Sequence, residues 1–326
     1  MNPPPSNFGS FGGHWSDVKL SAVKAYFTRF NQALSKAPFT RVYIDAFASG
    51  GRVKSVPIKK PLTNIIHDEC WFETGEDLIG FKDPNDPDGI ESEVIRHGSP
   101  LLALEASPGF HEFIFIERDP ATLKLLEEQV KASPELRGRP VDFICDDANT
   151  ALLRICCPEW SKTRRATIFL DPFALHIRWA TLEAIARTKG MDMWMLFPAM
   201  AVNRMLPRHA EVPEVWANRL DDTFGDRSWR EEFFAVPEHL PIDDLFPEHL
   251  ENQKETKLDD PFGRLSRYVT RRLKTVFAEA VEEPLLLKTK GGAPLFLLCF
   301  AVANERGAPI AKRIADHIIK TQKHGH

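Results

Sequence analysis

Four short apolar runs in this chain each end in acidic residues. Residues 41–47 (RVYIDAF) carry Asp45 just ahead of the turn Ala48-Ser49-Gly50-Gly51, and residues 111–116 (HEFIFI) lead to Glu117. Residues 141–144 (VDFI) pass through Cys145 into Asp146 and Asp147. Residues 166–170 (ATIFL) run into Asp171-Pro172-Phe173-Ala174. If these runs are neighbouring parallel strands, their carboxylates line one edge of a sheet, where ligands of doubly wound folds bind. Small residues after Asp45 let backbone approach a ligand closely, and the carboxylate could take an ammonium group or simply cap the turn. Glu117 could accept from both hydroxyls of a ribose. Asp146 or Asp147 could accept from an adenine amino group, or the two could cap a helix. Asp171, the carbonyl of Pro172 and the ring of Phe173 could position an acceptor amine and stack on its ring. The plainer alternative there is an Asp-Pro turn with a core phenylalanine.

The elements that would hold these residues follow from periodicity. A helix over residues 16–36 is expected, capped at Ser16-Asp17, with Leu20, Val23, Phe27, Phe30 and Leu34 at helical spacing. After the run at 41–47, residues 52–97 are irregular and breaker-rich (KDPNDPDG at 82–89), which marks an insertion. Helices are expected from Gly98-Ser99-Pro100 onward, over 121–130, near 150–156 and over 179–189. A fifth strand, 191–197 (MDMWMLF), follows. Nearly continuous apolar strands alternating with amphipathic helices imply a parallel sheet covered on both faces. Residues 207–261 read as a second, acidic insertion, a lid or partner-facing unit: its 211–260 stretch holds fifteen Asp or Glu against five Lys or Arg. A helix from 262 comes next. Residues 283–290 and 294–303 then read as an antiparallel hairpin turning at Gly291-Gly292, and a helix over 309–321 closes the chain. The whole reads as one domain, residues 1–326, around a mostly parallel seven-stranded α/β sheet.

Composition narrows the classes. The 326 residues are 43% hydrophobic and 27% charged, with a formal net charge of −4, so any nucleic-acid surface would be a local patch. Arg264, Arg267 and Arg271 form such a patch on one helix face, able to track phosphates or to pair with the acidic segment before them. No apolar run reaches the ~20 residues of a membrane span, and the start lacks a signal-peptide pattern. Five cysteines without a C-x-x-C pair fit reduced thiols in a cytoplasm and no structural metal. There is no phosphate-loop signature, nucleophile elbow or HExxH motif.

Five strand–helix units finished by an antiparallel hairpin are the element order of class I methyltransferases, a Rossmann-like fold. YIDAFASGGR (43–52), HGSPLLAL (97–104), FIERD (115–119) and FLDPFA (169–174), with the helix at 14–34, resemble the family of three-Cys-motif partner proteins across most of residues 14–205. The resemblance implies a SAM-binding (S-adenosylmethionine) methyltransferase, related in layout to enzymes that methylate exocyclic adenine nitrogens, and a radical-SAM-like protein as neighbour. It also implies a cofactor site of Asp45, Phe47, Ala48, Ser49, Gly51, Glu117, Asp146 and Asp147, and an acceptor site of Asp171, Pro172 and Phe173 followed by Ala174. Two departures stand out. Phe47 and Ser49 occupy places where a SAM loop alternates glycines, leaving Gly51, and one proline precedes Phe173 where two are usual.

The leading expectation is therefore methyl transfer from SAM to an amino nitrogen, with a nucleic acid as acceptor. A second is a non-catalytic SAM-binding protein that docks a partner through its acidic insertion. A third is phosphate chemistry on a metal gathered by Asp45, Asp146, Asp147 and Asp171.

Overall fold

The computed structural model describes residues 14–54, 95–172, 174–208, 211–235 and 256–324. In chain order the elements are α1 (His14–Ala33), β1 (Thr40–Asp45), β2 (Arg52–Lys54), β3 (Ile95–His97), α2 (Ser99–Leu104), β4 (Glu112–Glu117), α3 (Pro120–Ala132) and β5 (Val141–Cys145). There follow α4 (Ala148–Ile155), α5 (Trp160–Thr163), β6 (Arg164–Leu170), α6 (Trp179–Arg187), β7 (Met191–Phe197), α7 (Ala199–Met205), α8 (Glu214–Phe224) and α9 (Trp229–Phe233). The chain closes with β8 (Phe234–Ala235), β9 (Thr256–Lys257), α10 (Pro261–Leu273), β10 (Glu279–Ala280), β11 (Leu285–Lys288), β12 (Pro294–Val302) and α11 (Ala308–His324).

The main sheet runs β5-β4-β1-β6-β7-β12, with β10 and β11 both paired to β12. Strands β5, β4, β1, β6 and β7 are mutually parallel; β12 is antiparallel to β7 and to both β10 and β11. This is the Rossmann-like class I methyltransferase topology, with the expected hairpin. The sheet has eight strands rather than seven because its last position is split. After β10, Val281 still donates to Phe300 at 3.0 Å, but Glu282-Glu283-Pro284 then interrupts the ladder. Pro284 has no N–H to give, and pairing resumes at Leu285↔Leu298.

Side chains alternate across a strand, and here the alternation sorts two chemistries. Tyr43, Phe113, Phe115, Phe169, Trp194 and Phe300 point to one face, under α1, α2, α3 and α11. Val42, Ile44, Ile114, Ile116, Ile168 and Met193 point to the other, under α4, α6, α7, α8 and α10. Both faces are buried, which is what nearly continuous apolar strands require.

The N-terminal helix covers His14–Ala33 rather than 16–36, its last turn being replaced by turns ahead of Pro38. The ends of the 52–97 segment pair as the antiparallel β2–β3 ribbon, and residues 55–94 lie outside the described residues. The described part of 207–261 sends Leu220, Phe224, Trp229, Phe233 and Phe234 into the same core as the sheet. Gly225 shows how closely it packs: at φ +81°, an added Cβ would stand 2.2 Å from Trp179 Cδ1. Among the described residues no helix is long and apolar enough to cross a membrane.

On the aromatic face, Tyr26 of α1 donates its hydroxyl to Asp192 Oδ2 at 2.7 Å. Burial pushes the Asp192 carboxyl from 3.8 up to about 7, against the opposing pull of the Tyr26 hydrogen bond and the Arg165 charge. A folded-state value above the unfolded one means that the folded protein binds this proton more tightly. The contribution to stability is complete below pH 3.8 and lost as pH rises through about 7. Asp192→Asn keeps the hydroxyl's acceptor and removes the titration. In urea unfolding the variant should gain stability relative to wild type between pH 5 and pH 8, by a few kcal/mol at most. A difference independent of pH would refute the assignment.

Candidate functional site

The crevice between the carboxyl ends of β1 and β6 is where the strand order switches direction, the usual ligand position of such sheets. Asp45 and Asp171 stand on its two sides. Asp45, the last residue of β1, has 0% exposure and lies beside Phe169 of β6. It accepts from the Tyr43 hydroxyl at 2.9 Å, from Phe47 N at 3.2 Å and from the Ser99 hydroxyl. Burial pushes its carboxyl up to about 6 while those three donors pull it down and the nearby Asp171 charge adds to the rise. With no exposed surface, Asp45 directs its contacts to the chain itself and holds the loop that follows it.

That loop is fastened at every residue. Ala46 N donates to Phe169 O at 3.1 Å and Ala48 N to Ile116 O at 2.9 Å, tying it to β6 and β4. Ser49, at φ +49°, donates its N–H to Glu117 Oε2 at 3.1 Å. Gln129 Nε2 reaches Gly50 O at 2.6 Å, and Gly98 N reaches Gly51 O at 2.7 Å. Gly51 is required twice over: its φ is +75°, and a Cβ would meet Leu126 Cδ1 at 2.7 Å.

Glu117 ends β4 half-buried. One oxygen takes Ser49 N–H and the other takes Asp119 N–H at 3.0 Å. A carboxylate has about four acceptor sites, so capacity remains for two hydroxyls. One strand further on, Asp147 caps α4 by accepting from Thr150 N at 3.0 Å. Asp146 pairs with Arg154 at 3.1 Å. Asp146 and Asp147 are thus engaged with Arg154 and with the start of α4, and among the described residues no cluster of three or more His, Cys, Asp or Glu could hold a metal.

Asp171, at the end of β6, is bonded to a residue that periodicity did not single out. Lys19 Nζ of α1 donates to Asp171 Oδ2 at 2.5 Å, with side chains 8% and 23% exposed. The ammonium also lies 5.1 Å from the Trp15 ring centroid and 5.9 Å from that of Phe169. Trp15 in turn packs on Phe296 at 4.8 Å. The sequence does hold a clue: Lys19 is four residues before Val23 and seven before Tyr26, a lone cation within the buried stripe. Pro172 is buried and Phe173 lies outside the described residues.

Asn149 is a second residue that sequence reasoning missed. Buried at the start of α4, it donates to His176 O at 2.8 Å and accepts from Arg178 N at 3.0 Å and the Thr181 hydroxyl at 2.8 Å. It therefore fastens the loop leaving Asp171 to the turn carrying Asp146. The Arg264, Arg267 and Arg271 side chains reach Asp259 O, Asp260 and Glu232, all in the acidic segment before them.

No family model and no curated protein matches this chain. Among solved structures, a DUF519-family protein from Legionella pneumophila aligns over 95% of this chain and 93% of its own, at 10% identity and a TM-score of 0.42. The methyltransferase domain of a bacterial protein, CtHen1-C, aligns over 86% and 98%, at 8% identity and a TM-score of 0.35. A SAM-dependent methyltransferase of the DUF858 family from Leishmania major aligns over 88% and 73%, at 11% identity and a TM-score of 0.33. The chemistry of the site is accordingly read from this chain's own residues.

Asn149→Ala would remove the amide that meets His176 O and Arg178 N–H in a part-buried turn and the buried Thr181 hydroxyl. The expected loss is about 1–3 kcal/mol of unfolding free energy in urea. A change below ~0.5 kcal/mol would mean that the turn is held by something else.

Proposed function

We propose that this protein is a SAM-dependent methyltransferase acting on an amino nitrogen of a nucleic acid, in the manner implied by its resemblance to three-Cys-motif partner proteins. The observation that carries the reading is the position of Asp171. It stands at the switch point, with Oδ2 held by Lys19 and the side chain 23% exposed.

The residues present suit the cofactor. The 46–51 loop is fixed in a conformation that needs a left-handed Ser49 and Gly51, and Glu117 beside it has acceptor capacity for ribose hydroxyls. Asp146 borders the next turn, where an adenine amino group would be received, and Asp45 holds the loop from beneath through Phe47. SAM supplies a methyl group already activated by its sulfonium, so the protein's task is alignment rather than activation.

Asp171 does that aligning at the acceptor. An amine donating to Asp171 Oδ1 and to the carbonyl of Pro172 has its remaining direction turned toward the donor side. Lys19 fixes the carboxylate's orientation from the opposite side, and Phe173 is the ring proposed to stack on the base. Trp15 and Phe296 form a further aromatic ledge on the Lys19 side of the pair.

For the acceptor class, Arg267 and Arg271 keep 63% and 59% of their side-chain surface exposed despite their carboxylate partners. An ion pair exposed on both sides, as Arg267–Asp260 is, is worth ~0–1 kcal/mol, so Arg267 can exchange its carboxylate for a phosphate at little cost, while Arg271 is held more firmly by Glu232, whose side chain is 18% exposed. A radical-SAM-like protein is the partner proposed by the same resemblance.

Two measurements test the proposal. In calorimetry, wild type should bind SAM and Asp45→Ala should lose at least tenfold in affinity as the 46–51 loop is released. In transfer of a labelled methyl to bulk RNA and bulk DNA, Asp171→Ala should keep SAM binding and lose about a hundredfold in rate. SAM binding without labelling of either pool by wild type would instead favour a SAM-binding protein without transferase activity.

A further inference from the structure

Lys19 sits where a lysine is seldom found. Trp15, Lys19 and Val23 follow one another at four-residue spacing on the buried side of α1, and the Lys19 side chain is 8% exposed. A lysine near a surface normally leads its ammonium out to water. Here Nζ turns onto Asp171 Oδ2 at 2.5 Å and lies over the rings of Trp15 and Phe169. Separating the two would leave a shielded ammonium without its counter-charge, so the pair holds as a unit. Nor can α1 carry the lysine away. Val18, Ala22, Val23 and Phe27 are buried in the aromatic core, and Tyr26 is bonded to Asp192. Asp171 therefore meets the crevice as a carboxylate already joined to a cation. Asp45, on the other side, has 0% exposure and gives its contacts to the chain.

We propose that Lys19 is a positioning residue that sets acceptor specificity: its charge beside Asp171 turns away protonated amines and admits amines that are uncharged at neutral pH. The inference rests on the methyltransferase reading. It identifies the residue that separates a nucleobase amine from a lysine side chain or a polyamine.

A lone carboxylate would select the wrong amine. Alkylamines titrate near the lysine value of about 10.4, so at neutral pH they are ammonium ions, which a bare carboxylate attracts and which have no lone pair to give. A nucleobase amine is uncharged and brings N–H donors together with a lone pair on nitrogen. The acceptor nitrogen and Lys19 Nζ would contact one carboxylate, so they stand within about 8 Å of each other. At that separation like charges repel weakly in water and more strongly in a partly buried site. An ammonium meets that repulsion in full on binding. A neutral amine meets none on binding and part of it as charge develops, when the Asp171 oxygen it donates to offsets it. In the transfer the nitrogen lone pair forms the bond to the methyl carbon. The carbon–sulfur pair returns to sulfur, the sulfonium becomes a neutral thioether, and the methylated nitrogen releases one proton to bulk water.

The test is competition in labelled-methyl transfer by the full chain from SAM to bulk RNA or bulk DNA, with aniline as an uncharged aromatic amine and n-butylamine as an alkylammonium. Aniline should inhibit wild type at least tenfold more strongly than n-butylamine at pH 8. Raising the pH to 9.5 should strengthen n-butylamine at least tenfold, as its neutral fraction grows, and leave aniline within twofold. Lys19→Met, which keeps an unbranched apolar stem, should narrow the preference for aniline at least threefold whatever it does to kcat, and Lys19→Arg should keep it. The pH series uses wild type alone, so it decides the matter even where the variant is inactive. Equal inhibition by the two amines, an n-butylamine effect independent of pH, or no inhibition by aniline each overturns the inference while labelling leaves the methyltransferase reading standing. So does a preference unmoved by Lys19→Met. No labelling of either pool overturns that reading, and the inference with it.

Discussion

A carboxylate with no exposure at the end of a buried strand has to be given donors, and the region around the crevice is arranged to supply them to Asp45. Burying the charge unpaired would cost several kcal/mol. Its donors come from three places: Tyr43 on the same strand, the backbone of Phe47 one turn on, and Ser99 at the start of α2. Satisfying Asp45 therefore sets the path of the 46–51 loop and docks α2 against β1. The loop's far end is then caught by Gly98, whose N–H meets Gly51 O. The backbone that would cradle a cofactor is thus rigid as a consequence of solving a burial problem beneath it.

The two faces of the sheet divide the remaining work. The aromatic face, from Tyr43 to Phe300, packs rings edge to face, as with Phe27 against Tyr43 at 4.8 Å and 71°. Rings fill a wide interface with few rotatable bonds, which suits the face that carries α1 and its two polar contacts to the sheet. The aliphatic face takes α4, α6, α8 and α10, and Asn149 is buried there with every side-chain contact made to the 176–181 turn. Asn149 on this face and Asp45 and Asp192 on the other have partners that fix their geometry, whereas Thr167 Oγ1, Trp194 Nε1 and Thr270 Oγ1 are buried without a hydrogen-bond partner among the described residues.

Much of this was readable in the sequence because parallel strands bury both faces and leave polar residues only at their ends. The five parallel strands, the hairpin and the placement of Asp45, Glu117, Asp146 and Asp171 at one edge all follow from that single constraint. What escaped was long-range pairing. Lys19 and Asp171 are 152 residues apart, and nothing in local periodicity distinguishes a lysine that ion-pairs from one that faces solvent. Asn149 stands just ahead of the helix expected near 150–156, and its partners lie 27 to 32 residues on, beyond the reach of local pattern. The split of the last strand hung on Pro284, whose missing N–H was visible while its register was not. The arginines of α10 had two open readings, phosphate or carboxylate, and only three-dimensional placement brings Glu232 and Asp260 to them.

Helix α1 gives these separate contacts a common mechanical frame. Lys19 and Tyr26 are seven residues apart, about 10.5 Å along a helix, and share a face. Their partners lie toward opposite edges of the sheet. Asp192 pairs in register with Thr167 on β6, and Asp171 lies four residues beyond Thr167, roughly 13 Å along a strand. The helix therefore runs beside β6 and β7 and grips a carboxylate near each end. One grip is a hydrogen bond deep in the aromatic core, where Tyr26 also packs on Trp194 and Phe300. The other is the ion pair that orients the Asp171 carboxylate at the crevice. Because α1 is held as a rigid body between them, the position of Lys19 Nζ at the site is determined by packing at the far end of the sheet. The alignment on which methyl transfer would depend is thus supported from outside the crevice, by a helix that precedes every strand of the fold.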